Sequence, residues 1–368
     1  METISKRKYI RDRPYPPGKP IKEVERELGI EEAIKMASNE NPLGPSPKAV
    51  EAMKQALPEV NLYPDGNAYY LKKVLAIHLR VGEGNIILGN GSDEIIRVIV
   101  ETFLNEGEEA IMGEPAFLIY RLAVKIMKGQ SRLVPLKDFT HDLEAMARAI
   151  NERTKLIFIA NPNNPTGTMV TVEEVDSFMK EVPEDVIVIF DEAYYEYIER
   201  DDFPRTIDYL KENRNVITLR TFSKIYGLAG LRIGYGVAGE ELIRGMNRVR
   251  QPFNTNSLAQ VAALAALGDQ GHVKKSREAN RDGKTFLYEE LDKLKISYVP
   301  SEANFILVGV NEDGKVISHK LMQEGIIVRP MGMYNLPDFI RVTVGTEEQN
   351  KKFIKALCKI KNFKNRQD

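Results

Sequence analysis

From residue 85 to residue 239, short apolar runs alternate with segments whose apolar residues recur three and four positions apart. The runs are NIILGNG, EEAIMGEP, SRLVPL, KLIFIANPNNPTG, DVIVIFDEAYYEY, NVITLRTFSK and RIGYGVAG. Their apolar stretches do not alternate with polar residues, so each predicts a strand buried on both faces, as in a mainly parallel sheet. SDEIIRVIVETFL, FLIYRLAVKIM, LEAMARAI and VEEVDSFMKEV carry the helical spacing, with Ser92 expected to cap the first. Seven strands between residues 86 and 238, separated by helices, predict an α/β domain with its sheet covered on both sides.

The flanks read differently. Residues 1–45 contain PYPPGKP, a helix-like KEVERELG and MASNENPLGPSP, and their prolines keep much of the segment extended, as an arm. Helices are predicted over Lys48–Leu57 and Tyr69–Leu79, with a turn at Pro64-Asp65-Gly66 between them. Beyond residue 239 come helical stretches, one of them long. ISYVP, NFILVGV, IIVRP and FIRVTVG then read as short strands around KVISHKLMQEG, and a last helix spans 347–359. The expected organisation is an N-terminal arm (1–45) packing with the small domain, a large domain (46–262) and a smaller α+β domain (263–368).

Charge narrows the partners. With 52 basic and 53 acidic residues the net charge is −1, so no strong field points to nucleic acid or an anionic membrane. Cys358 is the single cysteine, which excludes an intrachain disulfide and a cysteine metal cage. No apolar run is long enough to span a bilayer, and the basic start METISKRKYIRDRP has no apolar core of a signal peptide. A cytoplasmic location is expected.

In open α/β sheets the chemistry gathers beyond the carboxyl ends of the strands. Those ends carry Gly89–Asp93, Glu114–Phe117, Asn161–Gly167, Asp191–Tyr194 and Thr221–Lys224, where the domain's conspicuous polar residues fall. GNGSDE joins bare backbone to a helix N-terminus, which suits either a phosphate or an ordinary cap. Asp191 follows VIVIF and should be buried, so it needs a cationic partner. No histidine or cysteine cluster supplies a metal for it, and a protonated pyridine nitrogen would serve. In VITLRTFSKIYGLAGLRIGYGVAG, Lys224 stands among hydroxyls, glycines and Arg232. That setting suits a desolvated amine forming an imine beside a bound phosphate, or else a surface lysine in a glycine-rich loop.

ANPNNPTG, FDEAYYEY and TFSKIYGLAGLRIGYG, in this order and spacing, resemble the fold-type I pyridoxal-phosphate aminotransferases of class I and II. SNENPLGPSP, YPDGNAYYLK and GNGSDE are similar to the histidinol-phosphate aminotransferase branch. The resemblance implies pyridoxal 5'-phosphate as cofactor and a role for each matched residue. Lys224 would hold the cofactor as an internal aldimine and later shuttle a proton; Asp191 would pair with the pyridinium nitrogen. Asn164 and Tyr194 would hydrogen-bond the 3′ oxygen, and Phe117 would stack on the ring without offering a hydroxyl. Ser92, Asp93, Thr221, Ser223 and Arg232 would hold the phosphate, joined by Tyr63 from a neighbouring subunit of a homodimer with shared sites. Arg341 would clamp the substrate end, with Arg329 and Tyr15 adding contacts to a phosphorylated substrate.

The leading expected activity moves an amino group between L-glutamate and imidazole-acetol phosphate in histidine biosynthesis. Aromatic amino-acid transamination and decarboxylation of a phosphorylated amino acid are the alternatives. A cofactor-sensing regulator would need an added DNA-binding segment, and the residues before the core carry no helix-turn-helix pattern. Cis peptides are expected at Glu114–Pro115 and Asn164–Pro165. The histidines, dispersed along the chain, read as surface or structural; Tyr69 and Tyr70 read as packing residues.

Overall fold

The computed structural model describes residues 18–361. Its strands in chain order are β1 (Ile34–Lys35), β2 (Ile86–Gly89), β3 (Glu109–Glu114), β4 (Gln130–Pro135), β5 (Thr154–Ala160), β6 (Ile187–Asp191) and β7 (Val216–Thr221). β8 (Gly234–Ala238), β9 (Tyr298–Val299), β10 (Phe305–Gly309), β11 (Ile326–Ile327), β12 (Arg329–Pro330) and β13 (Phe339–Thr343) complete the set.

β2 to β8 make one seven-stranded sheet in the order β2-β8-β7-β6-β5-β3-β4. Only β8 runs against its neighbours; the other strands share one direction. The apolar runs exist because both faces are covered. Along β5, Leu156, Phe158 and Ala160 pack with Ile95, Ile99, Tyr120 and Met246 on one side. Ile157 and Ile159, which point the other way, meet Met146, Val175 and Phe178. Thr171 and Glu174 form a reciprocal capping box that starts the helix Val172–Glu181 on this second face.

The second sheet, β12-β13-β10-β9, is antiparallel throughout. Ile306, Val308, Ile340 and Val342 turn one face of it onto Leu287 and Leu291 of the long helix Gln270–Lys293 and onto Phe353 and Leu357 of the helix Glu347–Ile360.

Residues 34–36 of the expected arm are tied to residues 326–343 by backbone bonds, and three expectations need correction. β1 pairs in parallel with β11, the Met36 N–H donates to the Ile327 carbonyl, and the Thr343 N–H donates to Met36. The IIVRP run accordingly splits, Ile326–Ile327 serving β1 and Arg329–Pro330 serving β13. The strand in FDEAYYEY stops at Asp191, and Tyr195–Tyr197 form a tight helical turn instead.

The cis peptides lie at Glu114–Pro115 and Asn161–Pro162, so Asn164–Pro165 is trans. Asn161 still belongs to the ladder, donating its N–H to Asp191 and exchanging side-chain bonds with Val170, so the chain reverses directly after it. The turn holding Asn164 is closed by the Gly167 N–H donating to Asn163 and the Asn163 N–H donating to Thr168.

Candidate active site

The parallel strands all end at one edge of the large sheet, and a cavity opens there. Ser92, Asp93, Phe117, Asn164, Asp191, Tyr194, Thr221, Ser223, Lys224 and Arg232 all line it, with Tyr120, Pro162, Ala160 and Ala193. These residues come from every turn that the strand ends had singled out.

One end of the cavity is a bare-backbone cradle. Gly89, Gly234 and Thr221 lie in one cross-strand row. A Cβ on Gly234 would stand 2.7 Å from the Ser92 nitrogen, so only glycine admits the helix Ser92–Phe103 this close to the sheet. Ser92 is the first helical residue rather than the cap. Gly91 takes the cap position with φ 84°, and a Cβ there would meet Arg232 Nη2 at 2.2 Å. No side chain caps this helix, so its first N–H groups face the cavity end without a side-chain acceptor. Arg232 is held over the same spot: its Nη1 donates to Ser223 Oγ at 3.2 Å and its Nη2 lies 3.6 Å from Asp93. Thr221 Oγ1 accepts the Ser223 N–H. The result is a positive, donor-rich pocket of phosphate type.

Across the cavity lies Asp191, 6% exposed. The Tyr120 hydroxyl donates to its Oδ2 at 2.7 Å, while Oδ1 has no hydrogen-bond partner among the described residues. Burial pushes its carboxyl up to about 6, against the lowering effect of the Tyr120 bond. Tyr194 is buried beside it, its hydroxyl accepting from Asn39 Nδ2 at 2.9 Å; burial holds that phenol above its ordinary range.

Lys224 also lines the cavity, its Nζ donating to the Ser38 carbonyl at 3.3 Å. Desolvation first, then the Arg341 charge, pull its amine down to about 8. Arg341 Nη1 donates to Asn164 Oδ1 at 2.5 Å and Nη2 to the Ala37 carbonyl at 2.9 Å. Its buried Nε has no partner among the described residues. Arg329 is the cross-strand partner of Arg341 in register, and both are buried, 8% and 7% exposed. Opposed residues on an antiparallel pair share a face, so the two arginine side chains leave the sheet on the same side. Neither arginine is among the residues that line the cavity, though Arg341 bonds Asn164, which is; Arg329 Nη2 donates to the Met333 sulfur at 3.2 Å.

Other expected residues fall elsewhere. Tyr63 is 84% exposed and stacks on Phe253, outside the cavity of its own chain. Tyr69 and Tyr70 are largely exposed rather than packed, because the helix Tyr69–Leu79 buries only Leu71, Leu75 and Ala76. Tyr15 lies outside the described residues. His141 is buried over Gly113, and burial pulls its imidazole down to about 4, so it stays neutral. Among the described residues no acidic, histidine or cysteine cluster could hold a metal, and no helix is long and apolar enough to cross a membrane.

Three features escaped the sequence reading. Tyr120 sits in the apolar FLIY start of a helix, where nothing in the pattern marks it. Ala37, Ser38 and Asn39 contact Arg341, Lys224 and Tyr194 in turn, a meeting across the chain that no local pattern announces. The buried pair of Arg220 with Glu192, at 2.8 Å, braces β7 against the end of β6 directly beside Thr221 and Asp191. Two buried or half-buried asparagines tie these segments together. Asn254 bridges Leu88 and Glu94, and Asn304 donates to the Asn39 carbonyl.

Known proteins share this arrangement. Residues 31–357 match the model of the family described as aminotransferase class I and II. The histidinol-phosphate aminotransferase of Moorella thermoacetica is 53% identical over 95% of this chain and 90% of its own. That of Caldicellulosiruptor saccharolyticus is 50% identical over 94% and 97%. Among solved structures, histidinol-phosphate aminotransferase from Sinorhizobium meliloti in complex with pyridoxal-5'-phosphate superposes with a TM-score of 0.87. It is 30% identical, covering 94% of this chain and 95% of that one.

Proposed function

This chain belongs to the aminotransferase class I and II family, and from that premise we propose that it is a pyridoxal-phosphate-dependent histidinol-phosphate aminotransferase. It moves an amino group between L-glutamate/2-oxoglutarate and histidinol phosphate/imidazole-acetol phosphate, a step of histidine biosynthesis. The observation that carries this reading is a cavity lined both by the buried Asp191, whose Oδ1 has no hydrogen-bond partner among the described residues, and by a glycine-backed anion cradle. A ring with a protonated nitrogen at one end and a phosphate at the other satisfies both.

Bound pyridoxal phosphate supplies an electrophilic carbon for amines and a ring that withdraws electrons from the substrate Cα. The protein's own groups do the rest. Asp191 holds a positive charge at the ring nitrogen, since a carboxylate partner stabilises the protonated form. The uncapped helix start at Ser92, the Thr221 and Ser223 hydroxyls and Arg232 bind the phosphate. Asn164, whose carbonyl accepts from Arg341, offers its amide N–H, and Tyr194 its hydroxyl, to the ring oxygen. Phe117, which lines the cavity, would offer its ring to the face of the bound cofactor.

The Lys224 amine, titrating near 8, is neutral in a useful fraction of molecules at physiological pH. It can therefore attack an electrophile and afterwards carry a proton from the substrate Cα. Arg341 binds the anionic end of either substrate, carried beside the cavity by its bond to Asn164. Glutamate presents carboxylates, whereas histidinol phosphate presents a dianionic ester. The paired Arg329 supplies the second cation that the ester needs.

The arm (1–45), large domain (46–262) and small domain (263–368) belong to the same proposal, as do a cytoplasmic location and a homodimer. Leu57, Val60, Leu62, Tyr63, Tyr70 and Ile77 are all more than half exposed, an apolar face on which a second copy fits. In such a dimer Tyr63, on that face, would reach the partner's phosphate cradle.

A half-reaction screen tests the substrate. The cofactor-loaded enzyme is mixed singly with histidinol phosphate, phenylalanine, tyrosine and phosphothreonine, and its absorbance is followed as the amino group arrives. Histidinol phosphate should convert it fastest at low concentration. Faster conversion by phenylalanine would reassign the enzyme to aromatic substrates, and carbon dioxide release from phosphothreonine would make it a decarboxylase.

A further inference from the structure

Tyr120 is fully buried at the back of the cavity, and three contacts fix its place. Its ring stacks on Phe158 with centroids 4.8 Å apart and planes 12° from parallel. Phe117 meets it edge-on at 5.6 Å. Its hydroxyl donates to Asp191 Oδ2 at 2.7 Å. One side chain thus touches both the residue assigned to the ring face and the residue assigned to the ring nitrogen. A carboxylate has two oxygens and can swing about its last bond; here one oxygen is tethered and the other is left without a partner.

We propose that Tyr120 is a positioning residue: its hydroxyl holds Asp191 ionised and turns the single oxygen Oδ1 toward the cavity, while its ring sets the height of Phe117. The proposal rests on the pyridoxal-phosphate reading above, except for the titration of Asp191, which is a property of the chain itself.

The chemistry runs one way. A buried carboxyl is driven toward its neutral form by lost hydration, and a neutral acid cannot stabilise a pyridinium. A donated hydrogen bond to the charged form opposes that drive, and bonds to an ionised acceptor are among the strong ones. The charged groups that face Asp191 are Asp93, which favours the neutral acid, and Lys224, which favours the anion. The Ala193 backbone N–H also favours the anion, and the Tyr120 bond is the largest effect opposing burial. Burial and the Asp191 charge keep the Tyr120 phenol protonated far above neutral pH, so it is a donor under all working conditions.

The test is Tyr120→Phe, which keeps the ring and removes the hydroxyl. The first readout needs no cofactor: the Asp191 carboxyl is titrated by 13C NMR in the full-length, cofactor-free chain, with Asp191→Asn identifying its signal. Loss of the bond should move the midpoint up by about 1 pH unit. The second readout is pyridoxal-phosphate affinity by equilibrium dialysis. It should weaken about twofold at pH 7 and about fivefold at pH 6, and recover toward pH 9, where the carboxyl is ionised without help. A merely structural role would weaken binding equally at every pH.

An unmoved midpoint, or a pH-independent loss, overturns the proposal. If instead Asp191→Asn binds the cofactor as tightly as the parent, the assignment of Asp191 to the ring nitrogen fails, and the titration still decides what Tyr120 does to the carboxyl. Should Tyr120→Phe fold poorly, 3-fluorotyrosine placed at position 120 gives the opposite sign. A more acidic donor strengthens the bond and should lower the midpoint; a rise or no change overturns the proposal.

Discussion

At the scale of single residues, the site depends on charges removed from water. Lys224 loses hydration and faces Arg341, so its folded-state amine titrates near 8 instead of 10.5. Below that value the neutral fraction falls tenfold per pH unit. Cofactor capture by the cofactor-free protein should therefore speed up about tenfold from pH 6 to pH 7, and level off above pH 8. A stopped-flow series across that range checks this, and a flat profile would mean that the free amine is not the attacking group. Lys224→Ala should abolish turnover and leave any bound cofactor removable by gel filtration. Arg329 makes the sharper prediction. A charge-assisted bond to a phosphate is worth about 1.5–3 kcal/mol, so Arg329→Ala should lower kcat/KM for histidinol phosphate by about 10- to 150-fold. The same change should cost phenylalanine less than about threefold; equal losses would show that Arg329 reads no phosphate.

At the scale of elements, the decisive device is the meeting of β2, β8 and the helix Ser92–Phe103. Gly91→Ala would force a side chain onto the Arg232 guanidinium at a left-handed φ. It should weaken cofactor binding at least tenfold, measured by dialysis, with little change in helix content. The brace behind the site is energetic. Glu192 has no exposed surface and holds two bonds from Arg220, so Arg220→Ala strands a buried carboxylate. That should cost about 3–5 kcal/mol of stability in chemical denaturation. This level was also the most legible from sequence. The seven strands are found where NIILGNG to RIGYGVAG put them, because both-face burial leaves an unmistakable unbroken apolar run. The turns that line the cavity were legible for the related reason that polar residues directly after such runs have only one place to be. The Ser92 cap was misread because Arg232, distant in sequence, dictates a glycine conformation at the preceding position. IIVRP was misread because half of it pairs with a segment nearly three hundred residues earlier.

At the scale of the whole molecule, the proposed dimer makes a prediction that no single chain can satisfy. If Tyr63 completes the partner's cradle, Tyr63→Ala and Lys224→Ala each cripple an enzyme, but a mixed dimer retains one intact site. Random reassortment of the two should restore about a quarter of parental activity. No restoration after verified subunit exchange would place Tyr63 outside the partner's site. Tyr63 could be singled out only through the YPDG resemblance, since its exposure and its stack on Phe253 carry no chemistry by themselves. The pairing of Arg329 with Arg341 was likewise invisible until the strands were in register, because sequence separates them by a helical turn and a loop.

The register between β1 and β11 has one further consequence, for insertion and deletion. Ala37 accepts Arg341, Ser38 accepts Lys224 and Asn39 donates to Tyr194, in three consecutive positions. Adding or removing one residue between Ile34 and Ala37 would shift every one of these assignments by one place at once. A frame of that kind tolerates substitution, since two of the three contacts are made by backbone carbonyls, yet it does not tolerate a change in length. Length variation introduced by cassette mutagenesis should thus survive on the N-terminal side of the helix Ile21–Leu28 and be lost from Ile34 to Asn39, however conservative the added residue.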